Sequence, residues 1–158
     1  MELVLLAVGK LRPGYREVAD DYLRRLGRHL KVREIEVREA SRAPTIETQR
    51  AEEGTRLLAK RPRASRLIAL AREGTGWSSE ELARRLERWT SEARPVALAI
   101  GGSHGLSPDL LASASDRWSL GPLTLPHELA RVVVAEQLYR ANTILRGEPY
   151  HKGAGERG

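Results

Sequence analysis

Two rhythms of apolar and polar residues take turns along this chain. Leu3-Val4-Leu5-Leu6-Ala7-Val8 is a short apolar run closed by Gly9, the signal of a strand. From Tyr15, apolar residues recur at Val18, Ala19, Tyr22, Leu23 and Leu26, the spacing of a helix with one buried stripe. Val32, Ile35 and Val37 sit among charges and predict a second strand. Pro44-Thr45 opens a polar helix to about Lys60, weakly apolar at Ile46, Leu57 and Leu58. Leu67 to Ala71 predicts a third strand. Ser78 with Glu81 three residues later forms a capping box, and Leu82, Leu86 and Trp89 supply the buried face behind it.

Val96 to Ile100 predicts a fourth strand, ending at Gly101-Gly102. Ser107-Pro108 is an N-cap followed by proline at the first helical position. Trp118-Ser119-Leu120 reads as a short fifth strand, and Pro126 starts a last helix that Gly147 stops. Near-continuous apolar strands joined by helices need cover on both faces, so the pattern predicts an α/β domain with a mostly parallel sheet. Glycines and prolines gather after the third and fourth strands, which places a ligand crevice at the carboxyl ends of the sheet.

Composition narrows the class. One domain's worth of chain, 158 residues, needs no staple, and the absence of cysteine excludes disulfides and thiolate chemistry. No apolar run approaches the length of a membrane span and no leader is visible, so a cytoplasmic protein without membrane contact is expected. Lys and Arg number 27 against 21 Asp and Glu, a formal charge of +6. All of the excess lies before residue 80, with 17 basic and 11 acidic residues there and 10 of each after it. This asymmetry suits an anionic partner such as nucleic acid, while 23 arginines among the basic residues also fit an arginine-rich composition. Two runs stand out: Arg24, Arg25, Arg28, Lys31 and Arg33, then Arg56, Lys60, Arg61, Arg63 and Arg66. Each is either a phosphate-holding face or a solvated one.

Three stretches carry candidate chemistry. Gly101-Gly102-Ser103-His104-Gly105 leaves amide donors bare for a ligand, and on its own serves equally as a tight turn. Ser119 to Leu129 is stiffened by Pro122 and Pro126 around exposed main chain, and is either a base-reading loop or a rigid crossover. Pro149-Tyr150-His151-Lys152 offers an aromatic to stack, an imidazole to move a proton and an ammonium for phosphate, or else a solvated terminus. The four histidines show no metal spacing, and no metal is expected.

Taken together these stretches resemble one family. Leu6-Ala7-Val8-Gly9-Lys10, Tyr22-Leu23-Arg24-Arg25-Leu26, the run Leu98 to Pro108, the run Trp118 to Ala141 and Pro149-Tyr150-His151-Lys152 are similar to the ribosomal large-subunit pseudouridine N3-methyltransferases, the smallest SPOUT enzymes. The resemblance implies a single knotted domain over residues 1–158, with a tail from 148. Its sheet would have five or six mostly parallel strands, helices on both faces and a C-terminal trefoil knot, which pattern alone would not suggest. It implies S-adenosylmethionine as cofactor, a homodimer, and 23S rRNA within the 70S ribosome as partner.

Carried over residue by residue, the resemblance lines the cofactor site with Leu70, Gly102, Gly121, Pro122, Leu123, Thr124, Leu125 and Pro126. It puts Tyr139, Tyr150 and Lys152 against the substrate, with Arg140 to stabilise the developing anion and His151 as candidate base; solvent or a ribosomal group is the other possible proton acceptor. Three departures stand out. The chain has Leu70-Ala71 where the family often has Leu-Asp, Gly74-Thr75 where it often has Gly-Lys, and residues 153–158 beyond the usual end. Two other classes share these features: a SPOUT enzyme acting on transfer RNA, and a ribosome-binding module without activity.

Overall fold

The computed structural model describes residues 1–150; His151, Lys152 and the rest of the tail lie outside the described residues. Ten elements alternate: β1 (Glu2–Val8), α1 (Pro13–Leu26), β2 (Lys31–Val37), α2 (Ile46–Ala59), β3 (Arg66–Gly76), α3 (Ser79–Glu92), β4 (Val96–Ile100), α4 (Pro108–Ser113), β5 (Asp116–Ser119) and α5 (His127–Leu145). The strands form one sheet in the order β2-β1-β4-β3-β5, and every pairing is parallel.

Local chemistry explains most boundaries. Thr45 and Ser78 cap α2 and α3 by accepting the amides of Thr48 (3.0 Å) and Glu81 (3.1 Å), and Ser107 accepts that of Leu110 (3.2 Å) to start α4. Pro13 begins α1 at the position where its missing N–H costs nothing, two residues before the apolar stripe becomes visible at Tyr15.

Alternation along β1 shows how the layers form. Leu3, Leu5 and Ala7 face one side, packed with Leu26 of α1, Leu82, Leu86 and Trp89 of α3, and Val134, Leu138 and Ala141 of α5. Val4, Leu6 and Val8 face the other, against Leu57 of α2 and Leu110 of α4. Burying both faces of β1 and β4 accounts for their unbroken apolar runs.

Two expectations need correction. β2 is an edge strand, half exposed along most of its length, rather than a strand covered on both faces. Its charges are employed instead: Glu34 and Glu36 hold Arg16 of α1 and Arg131 of α5. β3 runs five residues past the predicted Ala71, to Gly76, because its register against β5 shifts between Leu70 and Thr75 and pairing then resumes. The resumed pairing is close: a Cβ on Gly74 would stand 2.4 Å from the Arg117 carbonyl oxygen, so only glycine fits there. No helix among the described residues is long and apolar enough to cross a membrane.

Candidate active site

A cavity of about 540 Å³ opens at the carboxyl ends of β3 and β4, within the size range of small-molecule sites. Its apolar wall includes Leu70, Ala71, Ile100 and Leu111, and two glycine-bearing loops close over it. The first is Gly101 to Gly105. The Gly105 amide donates to the Gly102 carbonyl at 3.1 Å, and a Cβ on Gly101 would lie 2.6 Å from the Gly105 carbonyl carbon. Two stretches of main chain therefore run in contact, and the polypeptide itself forms the wall.

The second loop follows β5. Ser119 Oγ accepts the Gly121 amide at 3.1 Å and lies 3.1 Å from the Arg72 carbonyl, to which it can donate. This ties the loop to β3 just beyond Leu70. Below it, the Trp77 and Trp118 rings stack at 5.3 Å, with the Arg85 guanidinium 4.1 Å from the Trp77 ring centroid. Gly121, Leu123, Thr124 and Leu125 line the cavity, and Leu123 is 77% exposed, an apolar side chain left in water at the mouth. Pro122 and Pro126 are exposed and do not line the cavity; their fixed φ stiffens the loop from outside.

Six of the eight expected cofactor-site residues thus meet at one cavity: Leu70, Gly102, Gly121, Leu123, Thr124 and Leu125. Sequence reasoning missed Arg50, Glu73, His104 and His127, which also line it. His104 belongs to the first loop and His127 opens α5 after the second, and both lacked only an assigned role; Arg50 comes from α2, distant in sequence and without a motif. Ala71 is buried where the family often has a carboxylate, and Glu73, two residues on and exposed, also lines the cavity. Thr75, in the place of a possible phosphate ligand, is paired opposite Trp118 in the sheet.

The expected substrate-side residues form a second group. Arg140 donates to Glu136 Oε2 through Nη2 (2.7 Å) and Nε (3.1 Å), and Tyr150 Oη donates to the same oxygen at 2.8 Å. The Tyr139 and Tyr150 rings meet edge-on at 4.9 Å, Tyr22 packs on Tyr139 at 5.9 Å, and Arg140 sits 4.9 Å from the Tyr150 centroid. Burial works against the Arg140 charge and the Glu136 carboxylate more than restores it, so the guanidinium is held above its ordinary pKa. Burial, then hydrogen bonding with Tyr22 and Glu136, pushes the Tyr150 hydroxyl well above the usual phenolic value. Glu136 was visible only as a helix position; its partner four residues on was the available signal.

The two groups stand apart on one chain. Ala130 lines the cavity and Arg140 follows ten residues later on the same helix, about 15 Å away at the α-helical rise. Lys31 and Arg66 begin β2 and β3 at the amino edge of the sheet, whereas Arg56 donates to the Arg38 carbonyl just past the carboxyl end of β2, and six of the ten run members are paired. Arg24 and Arg25 hold Asp21, Lys31 and Arg33 hold Glu2, Arg56 holds Glu52 and Arg66 holds Glu92. Arg28, Lys60 and Arg63 have no ion pair within 4.0 Å among the described residues, and neither do Lys10, Arg38 and Arg72, exposed near the carboxyl ends of β1, β2 and β3.

A parallel α/β sheet with a ligand cavity walled by main chain at its carboxyl edge defines a small-molecule-binding domain of the kind that holds nucleotide-like cofactors. The chain belongs to the SPOUT methyltransferase family, whose model matches residues 1–151. It is 48% identical over 153 residues to the ribosomal RNA large subunit methyltransferase H of Anaeromyxobacter sp., covering 96% of this chain and 100% of that one. It is 43% identical over 155 residues to the protein of the same name from Pseudomonas aeruginosa, with the same coverage of both chains. Solved structures of methylase family proteins share the fold. One from Neisseria gonorrhoeae has a TM-score of 0.53 at 13% identity, over 87% of this chain and 81% of that one. One from Haemophilus influenzae has a TM-score of 0.53 at 14% identity, over 92% of this chain and 66% of that one.

Proposed function

We propose that this chain transfers a methyl group from S-adenosylmethionine to N3 of a pseudouridine in large-subunit ribosomal RNA, on the assembled ribosome in the cytoplasm. The observation that carries the reading is the full-length similarity, at 43–48% identity, to enzymes named for methylating that RNA. The cavity fits the cofactor: apolar residues on its floor suit an adenine, and bare main chain in the Gly101–Gly105 and Gly121–Leu125 loops suits its ring edges. Leu70, Gly102, Gly121, Leu123, Thr124 and Leu125 would hold it, with Pro122 and Pro126 stiffening the loop.

The cofactor supplies a methyl group already activated by its sulfonium, so the chain's main work is alignment. N3 must shed a weakly acidic proton before it can attack. The Arg140 guanidinium, aimed by Glu136 and kept cationic, stabilises the negative charge that appears there. His151, beside this cluster in sequence, takes the proton. Tyr139 and Tyr150 give the base a stacking surface, and Lys152 holds phosphate.

A distance of about 15 Å along α5 separates this cluster from the cavity. A homodimer resolves the gap, with the cluster of one copy meeting the cavity of the other. The exposed Val18 of α1, one turn before Tyr22, lies on a helix face suited to such an interface. The trefoil knot belongs to this reading, as the means of fixing the loop after β5 over the cavity.

The test uses ribosomes that lack the modification, purified protein and donor labelled in the methyl group. Mass spectrometry of RNA digests should find one new methyl on a large-subunit pseudouridine. Label on free transfer RNA and none on ribosomes would transfer the reading to another SPOUT substrate. Binding to ribosomes without donor binding would mark a module without activity.

A further inference from the structure

Arg50 is the one arginine of α2 on the cavity wall. Its Nε donates to the His104 carbonyl oxygen, which anchors the side chain to the Gly101–Gly105 loop. That single contact leaves the Nη donors without a protein partner among the described residues, and no carboxylate comes within 4.0 Å of the guanidinium there. Glu53, one turn further along α2, makes no ion pair with it. Its Oε2 accepts the Ala40 amide at 3.0 Å and the Gln49 side-chain amide at 3.1 Å. A half-buried arginine, tethered by one nitrogen with its two-pronged end free, is prepared for a planar two-oxygen anion.

The wall carries one other arginine, Arg72, but that side chain is exposed and its backbone is engaged with Ser119. A guanidinium in open water contributes little to an ion pair, whereas one partly withdrawn from water contributes more. The lining also includes one carboxylate, the exposed Glu73. A cation and a carboxylate in one cavity match a ligand that bears both charges.

We infer that Arg50 binds the α-carboxylate of the methyl donor's amino-acid end. This rests on the reading of the cavity as the donor site. Arg50 is then an affinity determinant for the amino-acid moiety, separate from the loops that surround the adenine.

Three ligands of graded structure test this by calorimetry: S-adenosylmethionine, S-adenosylhomocysteine and 5′-methylthioadenosine, the last lacking the carboxylate. Arg50→Gln should weaken the first two by about 10–100-fold, the range for losing a charge-assisted pair, and leave the third within about twofold. Arg50→Lys should recover part of the loss. Equal weakening of all three ligands, with a lower melting temperature, would overturn the inference and make Arg50 a strap for the His104 loop. Unchanged donor binding with a raised KM for ribosomes would also overturn it, in favour of an RNA phosphate. If the unaltered protein bound none of the three, the reading of the cavity would fail first, a result separable from failure of Arg50 alone.

Discussion

Tyr150 Oη donates a hydrogen bond of 2.8 Å to Glu136 Oε2, joining the start of the C-terminal tail to the middle of α5. The same oxygen receives Arg140 Nη2 at 2.7 Å, so one carboxylate orients both a phenol and a guanidinium. Loss of the carboxylate frees both groups, whereas loss of the phenol removes one of the bonds that hold the carboxylate. Tyr150→Phe should lower the methylation rate on ribosomes by about 10-fold, and Glu136→Gln by more, since Arg140 then loses its aim. Calorimetry should find donor affinity unchanged in both, because the proposed role of the cluster is toward the RNA base and not toward the donor. A fall in donor affinity would mean that the cluster serves the cofactor directly.

The raised pKa of Tyr150 predicts what a pH titration will find. A group whose folded pKa lies above its unfolded value near 10.0 adds stability that is complete below that value. The contribution is lost as pH rises through the folded value. Tyrosinate absorbance should therefore show Tyr150 still protonated as the pH passes the ordinary phenolic value near 10.0. Above pH 10, Tyr150→Phe should lose less stability per pH unit than the unaltered protein.

Glu128 gives the opposite case in acid. It accepts the Arg12 backbone amide and the Arg12 Nε, both at 2.7 Å, pinning the first turn of α5 to the loop after β1. These bonds, the amide foremost, hold its carboxyl below the usual glutamate value against a smaller opposing effect of burial. The contribution is present above the unfolded pKa near 4.5 and is lost as pH falls through the folded one. Denaturant midpoints measured from pH 6 down to 3 should fall more steeply for the unaltered protein than for Glu128→Gln.

Arg131 is the largest fully buried side chain, with 2% of it exposed. It donates to the Val8 and Gly9 carbonyls at 3.1 and 2.9 Å and pairs with Glu34 (3.2 Å) and Glu36. Truncation to Ala would leave two carboxylates and two carbonyls around a void. Removing one partner of a buried pair costs about 3–5 kcal/mol. At about 2–4 °C per kcal/mol for a domain of this size, scanning calorimetry should record a drop of roughly 10 °C. Arg16, which also reaches both glutamates, sets the lower bound of the effect.

Two glycines separate close packing from open space. Gly101→Ala would push a methyl against the Gly105 main chain at 2.6 Å, so the loop must shift, and donor affinity should fall at least 10-fold by calorimetry. Gly14→Ala meets nothing within 4 Å in the first turn of α1 and should raise stability by about 0.5–1 kcal/mol in chemical denaturation.

Patterning alone carried the α/β class, all ten elements, the caps at Ser78 and Ser107, and the location of a crevice after β3 and β4. Those features follow from neighbours in sequence: alternation, helical period, a hydroxyl three residues before an amide. The residues alone also marked the Ser119–Leu129 loop and the Pro149–Lys152 tail as candidates, and the family resemblance added their roles.

What the chain could not declare beforehand depends on contacts between distant segments. β2 became an edge strand because sheet order is decided by which layers can bury their apolar faces, and its glutamates found Arg131 across 95 and 97 residues of sequence. Both basic runs read as free charge in sequence, until folding placed Asp21, Glu2, Glu52 and Glu92 beside six of the ten. Arg50 carries no motif, and only the packing of α2 against the His104 loop put it on the cavity wall. Periodicity reports which side of an element is buried, a local property. Which groups then meet there, and which charges remain unpaired, depends on how separate elements pack together, and that information resides in the tertiary structure.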